Sequence, residues 1–101
     1  MEKEELLKNT QEKIDEINSK IKELKNKVAD ESEGEIKDKA EAAVENLESL
    51  RDKIQEHYDV LQKRKEEIDM DVTEAEKNIY SGIETFEDAF TEAGSIFRTN
   101  Q

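Results

Sequence analysis

The sequence predicts an all-α protein: an antiparallel helical hairpin of the coiled-coil type plus a third amphipathic helix. Three observations predict it. The chain has no proline and three glycines, so little interrupts helix formation. Charged residues make up 44% of it and apolar residues 33%, which is typical of charged helices with narrow apolar faces. Apolar positions alternate in steps of three and four residues, the heptad pattern of packed helices.

The length of 101 residues fits one helical domain, residues 1–101, with helices expected at about 3–30, 33–69 and 72–98. The heptad positions of the first helix are Leu7, Thr10, Ile14, Ile17, Ile21, Leu24 and Val28. Those of the second are Ile36, Ala40, Ala43, Leu47, Leu50, Ile54, His57, Leu61, Arg64 and Ile68. A fold at residues 30–34 brings the two series together, which predicts the antiparallel hairpin.

Capping residues stand where the heptad phase changes. Ser32 and Glu35 have the spacing of a capping box for the second helix. For the third helix, either Asp71 with Glu74 or Thr73 with Glu76 offers the equivalent start. The second boundary contains no glycine or proline, so a turn and a kink are both compatible with it.

The third helix carries all three phenylalanines on one apolar stripe. We define this stripe by Ile79, Ile83, Phe86, Phe90 and Phe97. We expect it to pack on the hairpin, in a three-helix bundle or a dimer of hairpins, because so large an apolar face is rarely left exposed. The alternative is that the stripe binds a protein partner. Anionic membranes are disfavoured because Lys77 and Arg98 are the only cations in this helix.

A calcium loop is the alternative interpretation of residues 30–41. Five of its positions carry acidic or small residues: Asp30, Ser32, Gly34, Asp38 and Glu41. Such a loop also needs glycine at its sixth position and an apolar residue at its eighth, where this sequence has Glu35 and Lys37. We therefore favour a capped turn between two helices.

No other pattern indicates catalysis or a metal site. The only histidine, His57, has no second metal ligand one helical turn away, and we interpret it as a residue of the hairpin seam. The absence of cysteine excludes disulfides and thiolate chemistry. No serine stands in a recognisable arrangement with a base. We expect no enzyme, no cofactor and no metal.

The charge balance restricts the partners. Sixteen basic and 28 acidic residues give a formal charge of −12, which repels nucleic-acid phosphates and anionic lipids. The apolar runs are far too short to cross a bilayer, and the first residues lack the pattern of a secretory signal. We expect a cytoplasmic protein that binds neither nucleic acid nor membranes.

The segments ENLESLRDKIQEHYDVLQKRKEE and AEKNIYSGIETFEDAFTEAGSIF resemble the second helix and the ending of small bacterial proteins labelled coiled-coil domain-containing or stress proteins. The resemblance rests on Gly82-Ile83-Glu84, Phe86, Ala89-Phe90 and Phe97. The tryptophans of that ending are replaced, by Ala75 and Phe86. The resemblance implies a charged hairpin with a C-terminal amphipathic helix and an association with stress, without a settled activity.

A second resemblance is to the helical-hairpin proteins exported by mycobacterial-type secretion systems. Tyr80 and Glu84 fit their Y-x-x-x-[DE] signal, whereas their W-x-G turn is missing. We favour the first resemblance. It leads us to expect a non-enzymatic, stress-related structural or interaction module that binds a protein or self-associates. The alternative is an acidic binding protein or inhibitor that mimics nucleic-acid charge on a basic partner surface.

Overall fold

The computed structural model describes residues 2–30, 34–67 and 71–98 of the chain. It contains the helices α1 (Lys3–Asp30), α2 (Glu35–Lys63) and α3 (Thr73–Arg98), and the described residues form no strand. The three helices pack as a bundle of 53 × 17 × 16 Å. The predicted all-α class is therefore confirmed, in its three-helix form.

Helices α1 and α2 form the antiparallel hairpin. Arg51 Nη1 donates to Asn18 Oδ1 at 3.0 Å, and Lys25 Nζ lies 2.9 Å from Glu48 Oε2. The buried face of α1 repeats the predicted heptad and adds one leucine: Leu6, Leu7, Thr10, Ile14, Ile17, Ile21, Leu24 and Val28. Burying an aliphatic side chain of this size contributes about 1.5–3 kcal/mol, so this face supplies much of the core.

The expected capping box at the start of α2 is not formed. Helix α2 begins at Glu35, so its N-cap is Gly34, which has no side chain to accept a hydrogen bond. Gly34 has φ +107°, a conformation that residues with a Cβ atom rarely adopt. Glu35 instead pairs with Lys39 one turn later, at 3.2 Å. Ser32 lies outside the described residues.

Helix α2 also ends earlier than the expected residue 69. It stops at Lys63, and the amides of Arg64 and Lys65 donate to carbonyls three residues back, at 3.1 and 3.3 Å. The Lys3 ammonium, at the start of α1, donates to the carbonyl oxygens of Arg64 and Glu67. A cation is stabilising at the C-terminal end of a helix, so this contact favours the end of α2 where it lies. Ile68 lies outside the described residues.

Asp71 caps the start of α3. Its Oδ1 accepts a hydrogen bond from the Thr73 amide at 2.9 Å, and the first helical bond joins the Glu76 amide to the Val72 carbonyl at 2.8 Å. Of the two starts that the sequence offered, Asp71 supplies the cap. The chain reverses direction between α2 and α3, so the two are not one kinked helix, and residues 68–70 between them lie outside the described residues.

Helix α3 packs antiparallel to α2 and parallel to α1. A Cβ atom added to Gly82 would lie 3.0 Å from Ile54 Cγ1 of α2, a tight contact at which the Ile54 side chain would have to shift by a few tenths of an ångström. On the other side, Lys13 Nζ and Glu87 Oε1 join α1 to α3 at 3.3 Å. On the surface of the bundle, a groove runs between α2 and α3.

Candidate functional site

The apolar stripe lies mostly inside the bundle. Ile79 and Phe86 have no exposed surface and Ile83 is 5% exposed. Phe90 and Phe97 are half-buried and pack against the same core. The first part of the stripe is thus occupied by the protein's own hairpin, and only its C-terminal part reaches the surface.

Phe90 lies at the boundary between α1 and α3. Its ring centroid is 6.2 Å from that of Phe86, with the planes 14° apart, so the buried and the half-buried rings stack on each other. The Lys20 ammonium lies 5.5 Å from the Phe90 centroid, within the range of a cation–π interaction. The Lys20 side chain of α1 therefore lies over a ring that packs at the edge of the core.

Three cavities follow one another along the side of the bundle between α2 and α3. Their volumes are 460, 290 and 220 Å³. The last two share His57 and Asn78, and no residue of α1 lines any of them. We call the surface that these three cavities line the α2–α3 groove.

The chemistry of the α2–α3 groove changes along its length. The largest cavity is lined by the apolar residues Ala42, Ala43, Ala89, Ala93 and Ile96, among others. The middle cavity is lined by Gly82 and Ile54, which are in tight contact across the two helices. The last cavity is polar, and its charged or ionisable lining residues are His57, Arg64, Asp71 and Glu74. A surface that combines small apolar side chains with charged borders resembles a protein interface more than an enclosed ligand pocket.

His57 is not a residue of the hairpin seam. It is exposed, and it lies in the α2–α3 groove opposite Asn78. The heptad pattern predicted the wrong position because α2 has two neighbours. Its buried residues Ala40, Val44, Leu47, Ile54 and Leu61 face the core, so the other heptad positions, including His57 and Arg64, point towards the side of α3.

The pKa is shifted for two of the described carboxyl groups and one amine. The pKa of Asp71 is lowered, first by the hydrogen bond from the Thr73 backbone amide and then by that from its hydroxyl. The pKa of Lys13 is raised, first by its hydrogen bond to Glu87, while burial opposes this effect. The pKa of Glu16 is lowered by the charges of Lys13 and Lys20. These shifts belong to a helix cap and to the α1–α3 contact.

The residues proposed for a calcium loop lie on or beside helices. Asp30 ends α1, and Asp38 and Glu41 are exposed residues of α2, whereas residues 31–33 are outside the described part of the chain. Within residues 2–30, 34–67 and 71–98, no three His, Asp or Glu side chains are grouped so that they could hold a metal ion. None of the helices described has both the length and the apolar character needed to cross a membrane.

The α2–α3 groove was not predicted from the sequence, although a signal for it exists. Ala75, Gly82 and Ala89 are spaced seven residues apart on α3, and small residues at heptad spacing allow two helices to approach closely. Separating small from large apolar positions would have indicated which face of α3 contacts its nearest neighbour.

Comparison of the chain with protein-family models, with curated protein sequences and with solved structures finds no match.

Proposed function

We propose that this protein is a non-enzymatic interaction module that binds a protein through the α2–α3 groove. The observation that supports the proposal is the groove itself, a long, shallow surface with an apolar end and charged borders on two rigid helices. Val60, which is 51% exposed, lies in it. Apolar groups surrounded by polar ones are the usual composition of a protein interface.

The proposal assigns partner binding to the groove and not to the whole apolar stripe. Ile79, Ile83 and Phe86 are buried against the hairpin, and exposing them would cost the stability that their burial provides. Only Phe90 and Phe97 are half-buried, and they are available for a minor contribution. The role in stress that the resemblance implies, and the cytoplasmic location, remain predictions.

The test places a large cation in the apolar end of the groove. Ala42 is exposed and lines the largest cavity, so Ala42→Arg should block the groove while leaving the core unchanged. The matched control is Ala29→Arg, because Ala29 is an exposed alanine on α1. In capture experiments from a native lysate, we expect Ala42→Arg to lose proteins that the wild type and Ala29→Arg both retain. Equal capture by all three proteins would contradict the proposal.

A second candidate function is binding to a basic surface, as an acidic inhibitor or a mimic of nucleic-acid charge. It is favoured by the exposed carboxylates of α3, such as Glu84, Asp88 and Glu92. Binding through exposed carboxylates should weaken steeply as salt is added, because salt screens exposed charges. Capture that persists at high salt and is lost in Ala42→Arg favours the groove. Capture that is lost at high salt and is insensitive to Ala42→Arg favours the carboxylates.

A further inference from the structure

The charges that border the α2–α3 groove are sorted by helix. On the α2 side, every charged residue that lines the three cavities is a cation, and on the α3 side every one is an anion. The cations are Lys39, Lys53 and Arg64, and the anions are Asp71, Glu74 and Glu92. This separation is specific to the groove, since α2 as a whole has more acidic than basic residues.

The two rows are also aligned along the bundle. Lys39 lines the same cavity as Glu92, and Arg64 lines the same cavity as Asp71 and Glu74. A cation on α2 therefore has an anion on α3 at the same height, at both ends of the groove. Lys39 and Arg64 each have an exposed partner on their own segment, Glu35 and Glu67. Exposed pairs of this kind contribute at most about 1 kcal/mol, so each cation can readily leave its carboxylate and pair with another one.

This arrangement is complementary to itself. Consider a second copy that faces the first across the groove. If a half-turn about an axis parallel to the helices relates the two copies, each α2 lies against the partner's α3 at the same height along the bundle. Each Lys39 then meets the partner's Glu92, and each Arg64 meets the partner's Asp71 and Glu74. A half-turn about an axis perpendicular to the helices gives the opposite result, because Lys39 then faces the partner's Arg64 and anions face anions.

We propose that the α2–α3 groove is the interface of a symmetric homodimer whose two-fold axis runs parallel to the helices. The inference rests on the proposed function and names the occupant of the groove as a second copy of this chain. One long side of the bundle measures 53 by 17 Å, on the order of 900 Å² per copy, and a standard stable interface buries about 800 Å² on each partner. Self-complementary surfaces of this kind form closed, isologous dimers.

The test uses two charge-reversed variants, Lys39→Glu and Glu92→Lys, in sedimentation equilibrium. In a homodimer of either variant, both Lys39–Glu92 pairs become pairs of like charge. We expect each variant alone to dimerise roughly tenfold or more weakly than the wild type. In an equimolar mixture, every pair of a mixed dimer again joins opposite charges. The mixture should therefore form heterodimers with an affinity close to that of the wild type.

Lys22→Glu is the control for net charge, because Lys22 is an exposed residue of α1 and its reversal changes the net charge by the same amount as Lys39→Glu. It should dimerise like the wild type, and thermal melts should show that all variants are folded. A monomeric wild type, variants that dimerise normally, or a mixture that stays monomeric would each overturn the inference. If the wild type is monomeric but Ala42→Arg still loses captured proteins, the homodimer fails while the proposed function stands.

Discussion

Helix α3 contacts its two neighbours in different ways. Against α2 the packing is so close that a Cβ atom on Gly82 would lie 3.0 Å from Ile54 Cγ1. Against α1 the helices approach each other at fewer positions, and long polar side chains join them. Lys13 reaches Glu87 at 3.3 Å, and Lys20 lies over the Phe90 ring at 5.5 Å.

Side-chain size, and not only heptad phase, therefore determines the position of α3 relative to α1 and α2. Distances between packed helices vary with the side chains at the contact. On α3, Gly82 lies against Ile54 of α2, whereas Phe86 fills the core and Phe90 lies beside Lys20 of α1. The contact of α3 with α2 therefore depends on a small residue, Gly82, and its contacts with α1 depend on long, partly exposed side chains.

The largest expected effect on stability comes from removing the buried Phe86 ring. Phe86→Ala should lower the free energy of unfolding by about 3–5 kcal/mol, because it leaves a cavity in the core. Phe90→Ala should lower it by about 1–2 kcal/mol, because less apolar area is removed from a half-buried ring. Urea denaturation followed by circular dichroism measures both. Losses below about 1 kcal/mol for both variants, the size of ordinary surface effects, would mean that the stripe is not core in solution.

The next effect tests the close contact with α2. Gly82→Ala should destabilise the protein by about 1–3 kcal/mol because the core is overpacked, although alanine in a helix is ordinarily favoured over glycine by about 1 kcal/mol. In an Ile54→Ala background the clash is absent, so the same substitution should become stabilising. A double-mutant cycle from chemical denaturation measures this change of sign. If Gly82→Ala stabilises the wild-type background, the bundle can relax and the contact is not tight.

A gain in stability is expected on α1. Thr10 is 1% exposed, and its hydroxyl is the buried side-chain atom without a hydrogen-bond partner among the described residues. Thr10→Val keeps the shape and removes a polar group that costs about 1–3 kcal/mol when left unpaired. Thermal unfolding should therefore shift upward. A decrease would indicate that the hydroxyl is hydrogen-bonded in solution.

The ion pair between α1 and α3 should contribute little. Lys13 and Glu87 are 40% and 46% exposed, and exposed pairs are worth about 0.2–1 kcal/mol. A double-mutant cycle with Lys13→Ala and Glu87→Ala should give a coupling in this range that falls as salt is added. Because the pKa of Lys13 is raised, the contribution is fully present below the usual lysine pKa and is lost as pH rises through the raised value. A coupling that is unaffected by salt would indicate a buried pair.

The smallest effect concerns the start of α3. The pKa of Asp71 is lowered by the hydrogen bonds from Thr73, so its contribution to stability is present above the usual aspartate pKa and is lost as pH falls through the lowered value. Asp71→Asn keeps a good capping group that does not ionise. The variant should lose less stability than the wild type on acidification, and NMR titration should show a lowered pKa for the wild-type carboxyl. Identical acid sensitivity would contradict the cap.

The sequence predicted the class, the hairpin and the buried face of α1, since a heptad pattern with few breakers leaves one consistent arrangement. It was less successful on α2. A helix with two neighbours divides its apolar residues between them, so His57 and Arg64, which continue the heptad, are exposed at the groove. The ends of α2 also differ from the predicted ones: the helix starts after Gly34, which has a positive φ, and Lys3 of α1 donates to a carbonyl oxygen just beyond its last residue.

By itself, then, the sequence determined the helices, their amphipathic faces and the strongly acidic balance, because these follow from local propensity, periodicity and composition. Only the tertiary structure decided which neighbour α3 approaches closely, since that depends on Gly82 meeting Ile54 across the bundle. The same packing aligned Lys39 with Glu92 and Arg64 with Asp71 along one groove. Lys39 and Glu92 are distant along the chain and come together only through the antiparallel packing of α2 and α3, which no pattern within either helix specifies.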